Sequence, residues 1–466
     1  MKKYAKKSGA ILLTLAVLFT SMVSAINVSA ASFPYNATYP YGISSAADSQ
    51  EDARKTLTAE WESWKQTYVT SSGAKGFKRV QRDAGSSFDT VSEGLGYGLI
   101  LSVYFDEQAL FDDLFKYVKS CYNSRGLMGW QIDANGNFVG TGGRDCASDA
   151  DEDIALALVF ASKKWSPSSV NYTQEAKSLI TNLYNYCVES GTNVFKPGDT
   201  WGGSSVTNPS YFSPAWYKVF AQFTGDNRWN QVADKCYEIV DKVNNNGTGL
   251  VPDWCTAQGT NTGRNGFDFK YDAVRYGWRT AIDYSWFGDA RAKKNMDKLN
   301  AFYKQQGISN VIDGYTIQGG KLGQWHNATF SSCPGAGFMV GPDVDSAKAW
   351  YKDVVKVKDG GSYHYFGNTL RMIALLYMTG NFPNPLAEAT PTSPTPSQPQ
   401  NSNQPVLKGD INFDGRVNAG DYTLLRRYIL NPFQVTPEEL DAMDLNSDGR
   451  VNAGDYTLLR REILGN

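Results

Sequence analysis

Apolar residues recur at helical spacing through most of the chain between residues 32 and 384. In DSQEDARKTLTAEWESWKQTYV, Leu57, Trp61 and Trp64 follow an acidic start, a pattern typical of an amphipathic helix. Loops rich in Gly, Asn, Asp and Ser separate such segments, and alternating β patterns are scarce. These features predict an all-α domain. Further helices are predicted near 91–105, 107–121, 149–165, 172–188, 213–223, 228–244, 290–304 and 368–379.

The composition changes at about residue 385. The segment PLAEATPTSPTPSQPQNSNQP is rich in Pro, Thr, Ser and Gln and has no apolar periodicity, which predicts an extended spacer over 385–407. The spacer separates a large domain at 32–384 from a small one at 408–466. The sequence therefore predicts two folded units joined by a linker.

Residues 1–30 have the features of a secretory signal peptide. A basic start, MKKYAKKSGA, precedes the apolar run ILLTLAVLFTSMV, and Val28 and Ala30 occupy the −3 and −1 positions of a cleavage site. The alternative is a membrane anchor, but the apolar run is too short to span a bilayer comfortably. We therefore expect a secreted, extracellular protein with no membrane-spanning segment.

Composition narrows the classes of function further. The 466-residue chain has a net charge of −2 and no basic block, which argues against nucleic acid as a partner. Its two histidines leave almost no material for a Ser-His-Asp centre or a histidine-based metal site. Its six cysteines are dispersed without CxxC spacing, so we expect free, buried thiols.

The small domain is a duplication, because DGRVNAGDYTLLRR occurs at 414–427 and again at 448–461. Each copy contains part of a twelve-residue loop. The loop has Asp or Asn at positions 1, 3, 5, 9 and 12, a turn glycine at position 6 and a backbone carbonyl available at position 7. Such oxygen sets suit a hard cation, and two calcium ions are implied, although position 12 is Asp where an EF-hand has Glu. The predicted ligands are Asp410, Asn412, Asp414, Arg416, Asn418 and Asp421, then Asp444, Asn446, Asp448, Arg450, Asn452 and Asp455.

Two such loop-helix units after a Pro/Thr-rich linker resemble a type I dockerin, over residues 408–466. The resemblance implies that the chain binds the cohesin module of a scaffolding protein and belongs to a cellulosome-type complex. In that family, recognition lies at loop positions 10 and 11 and on the following helix, and near-identical repeats imply two binding orientations. The matching residues are Ala419, Gly420, Arg426, Arg427, Ala453, Gly454, Arg460 and Arg461.

Glu93 is an unusual residue in the large domain, because it lies in the apolar, glycine-rich segment DTVSEGLGYGLILSVYF. Burying an isolated carboxylate is costly, so a buried one is expected to be paired or functional. No basic residue lies nearby in sequence, which leaves a functional role or a distant arginine as the explanation.

Two further acidic sites have simpler alternatives. Asp149 starts an apolar helix and could merely complement the positive end of the helix dipole, an explanation that we favour for Asp151 and Asp153. Asp272 could simply form an ion pair with Arg275, three residues further on.

Four segments of the large domain resemble glycoside hydrolase family 8. ASDADEDIALALVFASKKW is similar to the family signature, TVSEGLGYGLIL to its general-acid segment, YDAVRYGWR to its general-base segment, and NPSYFSPAWYKVF to another active-site stretch. The segments follow the order of the family and span most of 32–384. The resemblance implies an (α/α)6 barrel, with six inner helices, six outer helices and a cleft across one end.

The resemblance also implies roles for particular residues. Glu93 would donate a proton to the glycosidic oxygen, and Asp272 would activate a water on the opposite face of the sugar, which inverts the anomeric centre. Asp149 would stay ionised and bind the −1 sugar, Tyr211 would help to hold the water, and Arg275 would orient Asp272. Aromatic platforms for sugar rings are expected at Trp130, Trp201, Tyr363 and Tyr365, with core packing as the alternative for each.

The expected activity is that of an endo-β-1,4-glucanase acting on cellulose chains and mixed-linkage β-glucan, because the dockerin points to plant cell wall. The alternatives are an endo-xylanase or a chitosanase of the same family. A different class, an inactive carbohydrate-binding subunit, is disfavoured because Glu93 and Asp272 are both present. No cofactor is expected for catalysis, and the catalytic domain is expected to be monomeric.

Overall fold

The computed structural model of the chain describes residues 32–243, 247–263, 266–387, 407–411, 417, 419–430 and 437–464. The predicted signal peptide, most of the predicted linker and half of the first calcium loop lie outside these residues. The chain divides into two compact units, Met1–Ala389 and Thr390–Asn466.

The described part of the first unit contains twelve α-helices. The even-numbered helices form a closed ring, in which each packs on the next and the last returns to the first; the odd-numbered helices pack around the outside. In chain order they are α1 (Gln50–Tyr68), α2 (Ser92–Tyr104), α3 (Gln108–Ser120), α4 (Ser148–Lys164), α5 (Tyr172–Cys187), α6 (Pro214–Thr224), α7 (Arg228–Val243), α8 (Tyr276–Phe287), α9 (Ala290–Gln306), α10 (Ala328–Gly337), α11 (Val344–Lys356) and α12 (Tyr365–Met378). The unit is an (α/α)6 barrel, as the family resemblance implied.

Burial explains which helices line the ring. In α2, every residue except Glu93 is buried, because the helix is apolar on all sides. Outer helices such as α7 bury a single stripe, and Trp229, Val232, Ala233 and Cys236 of α7 recur at helical spacing. Gly96 of α2 permits close packing on α4, since a side-chain Cβ there would lie 3.0 Å from the Ala150 carbonyl oxygen.

The described strands are short, which confirms the expectation of little β-structure. Three antiparallel pairs occur, each two residues long. They are β1 (Val69–Thr70) with β2 (Arg79–Val80), β3 (Thr90–Val91) with β4 (Gln131–Ile132), and β5 (Asp268–Phe269) with β6 (Tyr315–Thr316).

A buried ion cluster joins α4 to α8 inside the ring. Arg279 contacts Asp153 at 2.8 Å and Glu152 at 3.0 Å, and the Trp216 indole donates to Asp153 at 2.7 Å. The expectation that Asp153 merely complements the helix end is therefore wrong, because its charge is neutralised by an arginine from another helix. Asp151 is also buried and accepts the Met128 N–H at 2.9 Å.

The six cysteines are all buried and none forms a disulfide, as expected. The Sγ atoms of Cys146 and Cys187 lie 3.6 Å apart and make a thiol contact. No helix of the described residues is both long enough and apolar enough to cross a membrane.

The second unit contains three described helices, α13 (Ala419–Leu430), α14 (Pro437–Met443) and α15 (Ala453–Leu464). Its two repeats pack against each other through corresponding residues. Leu425 and Leu459 are buried together, and the rings of Tyr422 and Tyr456 stack with their centroids 4.3 Å apart. The helices predicted after each loop are thus present, and they form one small core.

Candidate active site

The starts of the inner helices bring distant segments of the chain together. Each inner helix is followed by an outer helix that runs back, so the inner helices run in one direction and start at one end of the barrel. Glu93 and Asp149 lie in the first turns of α2 and α4, and Tyr365 begins α12. Asp272 and Arg275 lie in the turn that precedes α8.

Arg275 binds all three carboxyl groups that the sequence singled out. Its Nη1 lies 2.7 Å from Glu93 Oε2 and 2.7 Å from Asp149 Oδ2, and its Nη2 lies 2.9 Å from Asp272 Oδ1. Glu93 is 182 residues away in sequence, so its partner is the distant arginine that the sequence left open. The Arg275–Asp272 pair that seemed an ordinary local contact is also present, as part of this larger cluster.

One guanidinium therefore faces three carboxyl groups. The pKa of Glu93 is raised to about 7, chiefly by burial; Arg275 opposes this rise, and the neighbouring Asp149 and Asp272 contribute to it. Burial also raises the pKa of Asp272, although Arg275 opposes that shift. The Glu93 side chain is 17% exposed and that of Asp272 is 37% exposed, so the second is the more open to water. The pKa of Glu93 therefore lies near neutral pH, which makes Glu93 the candidate proton carrier of the cluster.

Two tyrosines lie against this cluster. The Tyr365 hydroxyl lies 3.5 Å from Glu93 Oε1, and its ring is buried. Tyr365 thus lies beside Glu93, and its buried ring has no exposed face on which a sugar could stack. The Tyr211 ring lies under the Arg275 guanidinium, 5.2 Å from it, at the end of the 3-10 turn Pro209–Tyr211.

Asp253 contacts the segment that carries Asp272, and the sequence analysis did not identify it. Its Oδ1 accepts the N–H groups of Ala273 at 2.8 Å and Lys270 at 3.2 Å, on either side of Asp272. Burial raises the pKa of Asp253 to about 6. An isolated Asp in a loop gives no sequence signal for such a role.

Exposed aromatic residues extend from the cluster. The Trp130 carbonyl accepts the Ser92 N–H at 2.9 Å, which places Trp130 beside the start of α2. On another side, the rings of Tyr211, Trp254 and Trp201 follow one another with centroids 6.1 and 5.6 Å apart. Trp254 was not identified from the sequence. Tyr363 is 75% exposed and does not contact the acidic cluster in any described hydrogen bond or ring pair.

Comparison with known proteins identifies both units. The family described as Glycosyl hydrolases family 8 matches residues 31–380. The chain belongs to glycoside hydrolase family 8. The family described as Dockerin type I domain matches residues 408–464, so the enzyme also carries a calcium-binding module whose partner is a cohesin.

Several known proteins are similar to this family 8 enzyme over most of its length. Endoglucanase A of Acetivibrio thermocellus is 58% identical over 441 residues, which cover 92% of each chain. Endoglucanase 2 of Ruminiclostridium josui is 56% identical and covers 90% of each chain. Among solved structures, the apo structure of a β-1,3-1,4-glucanase from Paenibacillus sp. X4 aligns with a TM-score of 0.70 at 28% identity, covering 75% of this chain and 98% of that one.

The second calcium loop of the dockerin is within the described residues. Its acidic side chains are held by backbone N–H groups of the loop itself: Asp444 Oδ2 accepts from Gly449 at 2.9 Å and Asp455 Oδ2 from Asn452 at 2.9 Å. No three His, Cys, Asp or Glu side chains gather closely enough to hold a metal by themselves within the described ranges. The donor set nevertheless fits calcium, because Asn446, Asn452 and the Arg450 carbonyl add neutral oxygens.

Other predicted dockerin residues are only partly described. In the first loop, Asp410 and Asp421 are buried, and Asp421 accepts the Ile411 N–H at 2.9 Å. The predicted ligands Asn412, Asp414, Arg416 and Asn418 lie outside the described residues. Five of the predicted cohesin-binding residues are exposed: Ala453, Gly454, Arg426, Arg460 and Arg461. The burial of the other three, Ala419, Gly420 and Arg427, is not among the described features.

We predict that Glu93→Gln makes the protein more stable above about pH 7. The pKa of Glu93 is raised from 4.5 to about 7 in the folded state. Between these two pH values the folded protein therefore binds more protons than the unfolded chain. The free energy of unfolding of the wild type therefore falls as the pH rises between these values, by up to a few kcal/mol. Glutamine has no such dependence. Urea unfolding of both proteins across this range should show a difference that grows with pH; a constant difference would contradict the raised pKa.

Proposed function

We propose that the chain is a secreted endo-β-1,4-glucanase that hydrolyses internal bonds of cellulose chains and mixed-linkage β-glucan with inversion of the anomeric carbon. The observation that carries the proposal is the binding of Glu93, Asp149 and Asp272 by the single guanidinium of Arg275. The endoglucanase names of two relatives at 58% and 56% identity support a β-glucan as the substrate.

Glu93 is assigned as the general acid. A general acid must hold its proton near the working pH, and a pKa of about 7 meets that requirement. Oε2 accepts the hydrogen bond from Arg275, so Oε1 is the oxygen available to carry the proton. During cleavage this proton passes to the glycosidic oxygen, and the leaving sugar departs as a neutral alcohol.

Asp272 is assigned as the general base. It removes a proton from a water whose oxygen attacks the anomeric carbon on the face opposite the leaving group. Glu93 Oε2 and Asp272 Oδ1 contact the two terminal nitrogens of one planar guanidinium, roughly 2.3 Å apart, which limits the separation of these oxygens to about 8 Å. This limit admits the spacing of roughly 6.5–9.5 Å that leaves room for a water. Arg275 orients Asp272 in this scheme.

Asp149 and Tyr211 are assigned to the substrate and the water. Asp149 Oδ2 binds Arg275, whereas its buried Oδ1 has no hydrogen-bond partner and is available to a hydroxyl of the −1 sugar. An ionised Asp149 would also stabilise the positive charge that develops on that sugar. Burial raises the pKa of Tyr211 well above its usual range, so its hydroxyl stays neutral and can bind the attacking water.

The aromatic residues are assigned to sugar binding beyond the cleavage point. Trp130 and Trp201 are 38% and 42% exposed, which leaves part of each ring available to stack on a sugar. Tyr363 would serve as a more distant platform. Tyr365, which is buried, would contribute through its hydroxyl beside Glu93.

The dockerin is assigned two calcium ions, bound by the two loops, and a cohesin surface on either repeat. The stacked Tyr422 and Tyr456 support this arrangement, because they relate the two loop-helix units as equivalent halves of one core. We assign 1–30 to the signal peptide, 32–384 to a monomeric catalytic domain, 385–407 to the linker and 408–466 to the dockerin. Export and scaffold attachment would make the enzyme extracellular.

Measurement of reducing-sugar release from carboxymethylcellulose, lichenan, xylan and chitosan tests the substrate. We expect release from the first two. Greater release from xylan or chitosan would identify a different substrate, and no release from any would favour a binding subunit. Glu93→Gln should reduce turnover by about a hundred- to ten-thousand-fold, the range expected for loss of a general acid, with an unchanged helical circular dichroism spectrum. Glu62→Gln, on the outer helix α1, is the matched control and should retain full activity.

Calcium removal should separate the two units functionally. We expect a chelator to abolish binding to a cohesin, because the dockerin loops need the ion to fold, and to leave hydrolysis of carboxymethylcellulose unchanged. Asp410→Ala combined with Asp444→Ala should reproduce the effect in the presence of calcium. Loss of hydrolysis on chelation would show that the catalytic unit depends on a metal and would contradict this division.

A further inference from the structure

The side-chain amide of Asn208 is held in one orientation by its neighbours. Its Oδ1 accepts the Ser210 N–H at 3.0 Å and the Ser210 hydroxyl at 2.8 Å. That hydroxyl also accepts a hydrogen bond from Arg275 Nη2 at 3.1 Å, so its single proton is available for Asn208. The network therefore distinguishes the oxygen of the amide from its nitrogen.

The nitrogen of the same amide has no partner. Asn208 is fully buried, and its Nδ2 makes no hydrogen bond in the structure. Buried donors are nearly always paired, because an unpaired one loses its hydrogen bonds to water without replacement. A donor that is both fixed in direction and unpaired is suited to bind a nearby acceptor.

The surrounding backbone places this donor next to Asp272. Thr207 and Cys255 exchange N–H and carbonyl hydrogen bonds at 2.7 and 3.0 Å, which sets Asn208 beside Trp254. The preceding Asp253 holds the backbone on both sides of Asp272. Hydrogen bonds also link Asn208 to Asp272 through Ser210 and the Arg275 guanidinium. The Asn208 amide and the Trp254 indole both lower the pKa of Asp272 against the effect of burial.

We propose that Asn208 is a positioning residue for the general base: its NH2 group donates a hydrogen bond to the Asp272 carboxylate, which it holds charged and turned toward the attacking water. Arg275 Nη2 already occupies Oδ1 of that carboxylate. With the Trp254 indole as a third donor, about one lone-pair site of the carboxylate would remain for the water. The inference rests on the proposed function, because it requires Asp272 to act as the base.

Asn208 is the informative residue to change, because it carries no charge. Removing its NH2 group leaves the electrostatic surroundings of Asp272 in place and deletes one donor. The titratable and charged groups that face Asp272 come from five parts of the barrel and are Glu93 of α2, Asp149 of α4, Tyr211, Asp253 and Arg275.

The test is the pH profile of kcat/KM for Asn208→Ser. Serine can still accept the Ser210 N–H but has no NH2 group to offer the base. We expect the acidic limb of the profile to move up by about one pH unit, the scale of one hydrogen bond to a carboxylate, and the alkaline limb to stay in place. Asn171→Ser makes the same change at the start of the outer helix α5, where Asn171 accepts the Gln174 N–H, and should match the wild type.

An unchanged acidic limb in Asn208→Ser, with or without a lower kcat, would overturn the inference. If that variant fails to fold, Ser210→Ala replaces it; this change releases the amide and should shift the acidic limb in the same direction by a smaller amount. No shift in Ser210→Ala would likewise count against the proposal. A wild-type profile with no acidic limb would instead overturn the assignment of Asp272 as the base, and this inference with it.

Discussion

The candidate active site depends on one arginine, Arg275, whose single positive charge faces three carboxyl groups. Arg275 reaches carboxyl groups from the starts of α2 and α4 and from its own turn, all within 2.9 Å. Three negative charges against one positive charge in a buried space are unfavourable, and a proton on Glu93, whose pKa is raised to about 7 chiefly by burial, relieves the excess. In the proposed mechanism, burial and the neighbouring carboxyl groups thus supply the protonated state that an acid catalyst needs.

A second arginine, one helical turn deeper, shows the contrasting arrangement. Arg279 binds Glu152 and Asp153, and the surrounding Ser213, Tyr217 and Trp216 donate to the same two carboxylates. This deeper layer is fully buried and largely satisfied, so it holds α4 and α8 together. The upper layer uses the same pair of helices but leaves Asp149 Oδ1 without a partner and Glu93 Oε1 with only a 3.5 Å contact to the Tyr365 hydroxyl. Asp149 and Asp153 lie one helical turn apart on α4, as do Arg275 and Arg279 at the start of α8. This matching spacing generates both layers.

The periodicity of the sequence predicted the helical class of the domain but not every helix. It predicted nine of the twelve helices of the barrel and missed α8, α10 and α11. The pattern for α11 was present in Ala347, Trp350, Tyr351 and Val354, whereas α10 contains Pro334 and two glycines and has little helical propensity of its own. Such a helix forms because its neighbours in the ring bury it.

The sequence predicted the central residues of the site but not the contacts between them. The motifs that resemble the family identified Glu93, Asp149, Asp272 and Arg275, but no spacing in the sequence indicates that one arginine binds all three acids. Asn208, Asp253 and Trp254 lie next to the pairing of Thr207 with Cys255, a contact between loops that carries no periodic pattern. Their positions become visible only from contacts between segments far apart in sequence.

The central claim is that two of the three carboxyl groups divide into an acid and a base, with a water between the base and the sugar. The most direct test is NMR of a β-linked oligosaccharide during its first minutes of cleavage, before mutarotation. Direct attack by water predicts that the new reducing end appears first as the α-anomer. Initial formation of the β-anomer would show that a covalent intermediate forms, and would contradict the assignment of Asp272 as a base.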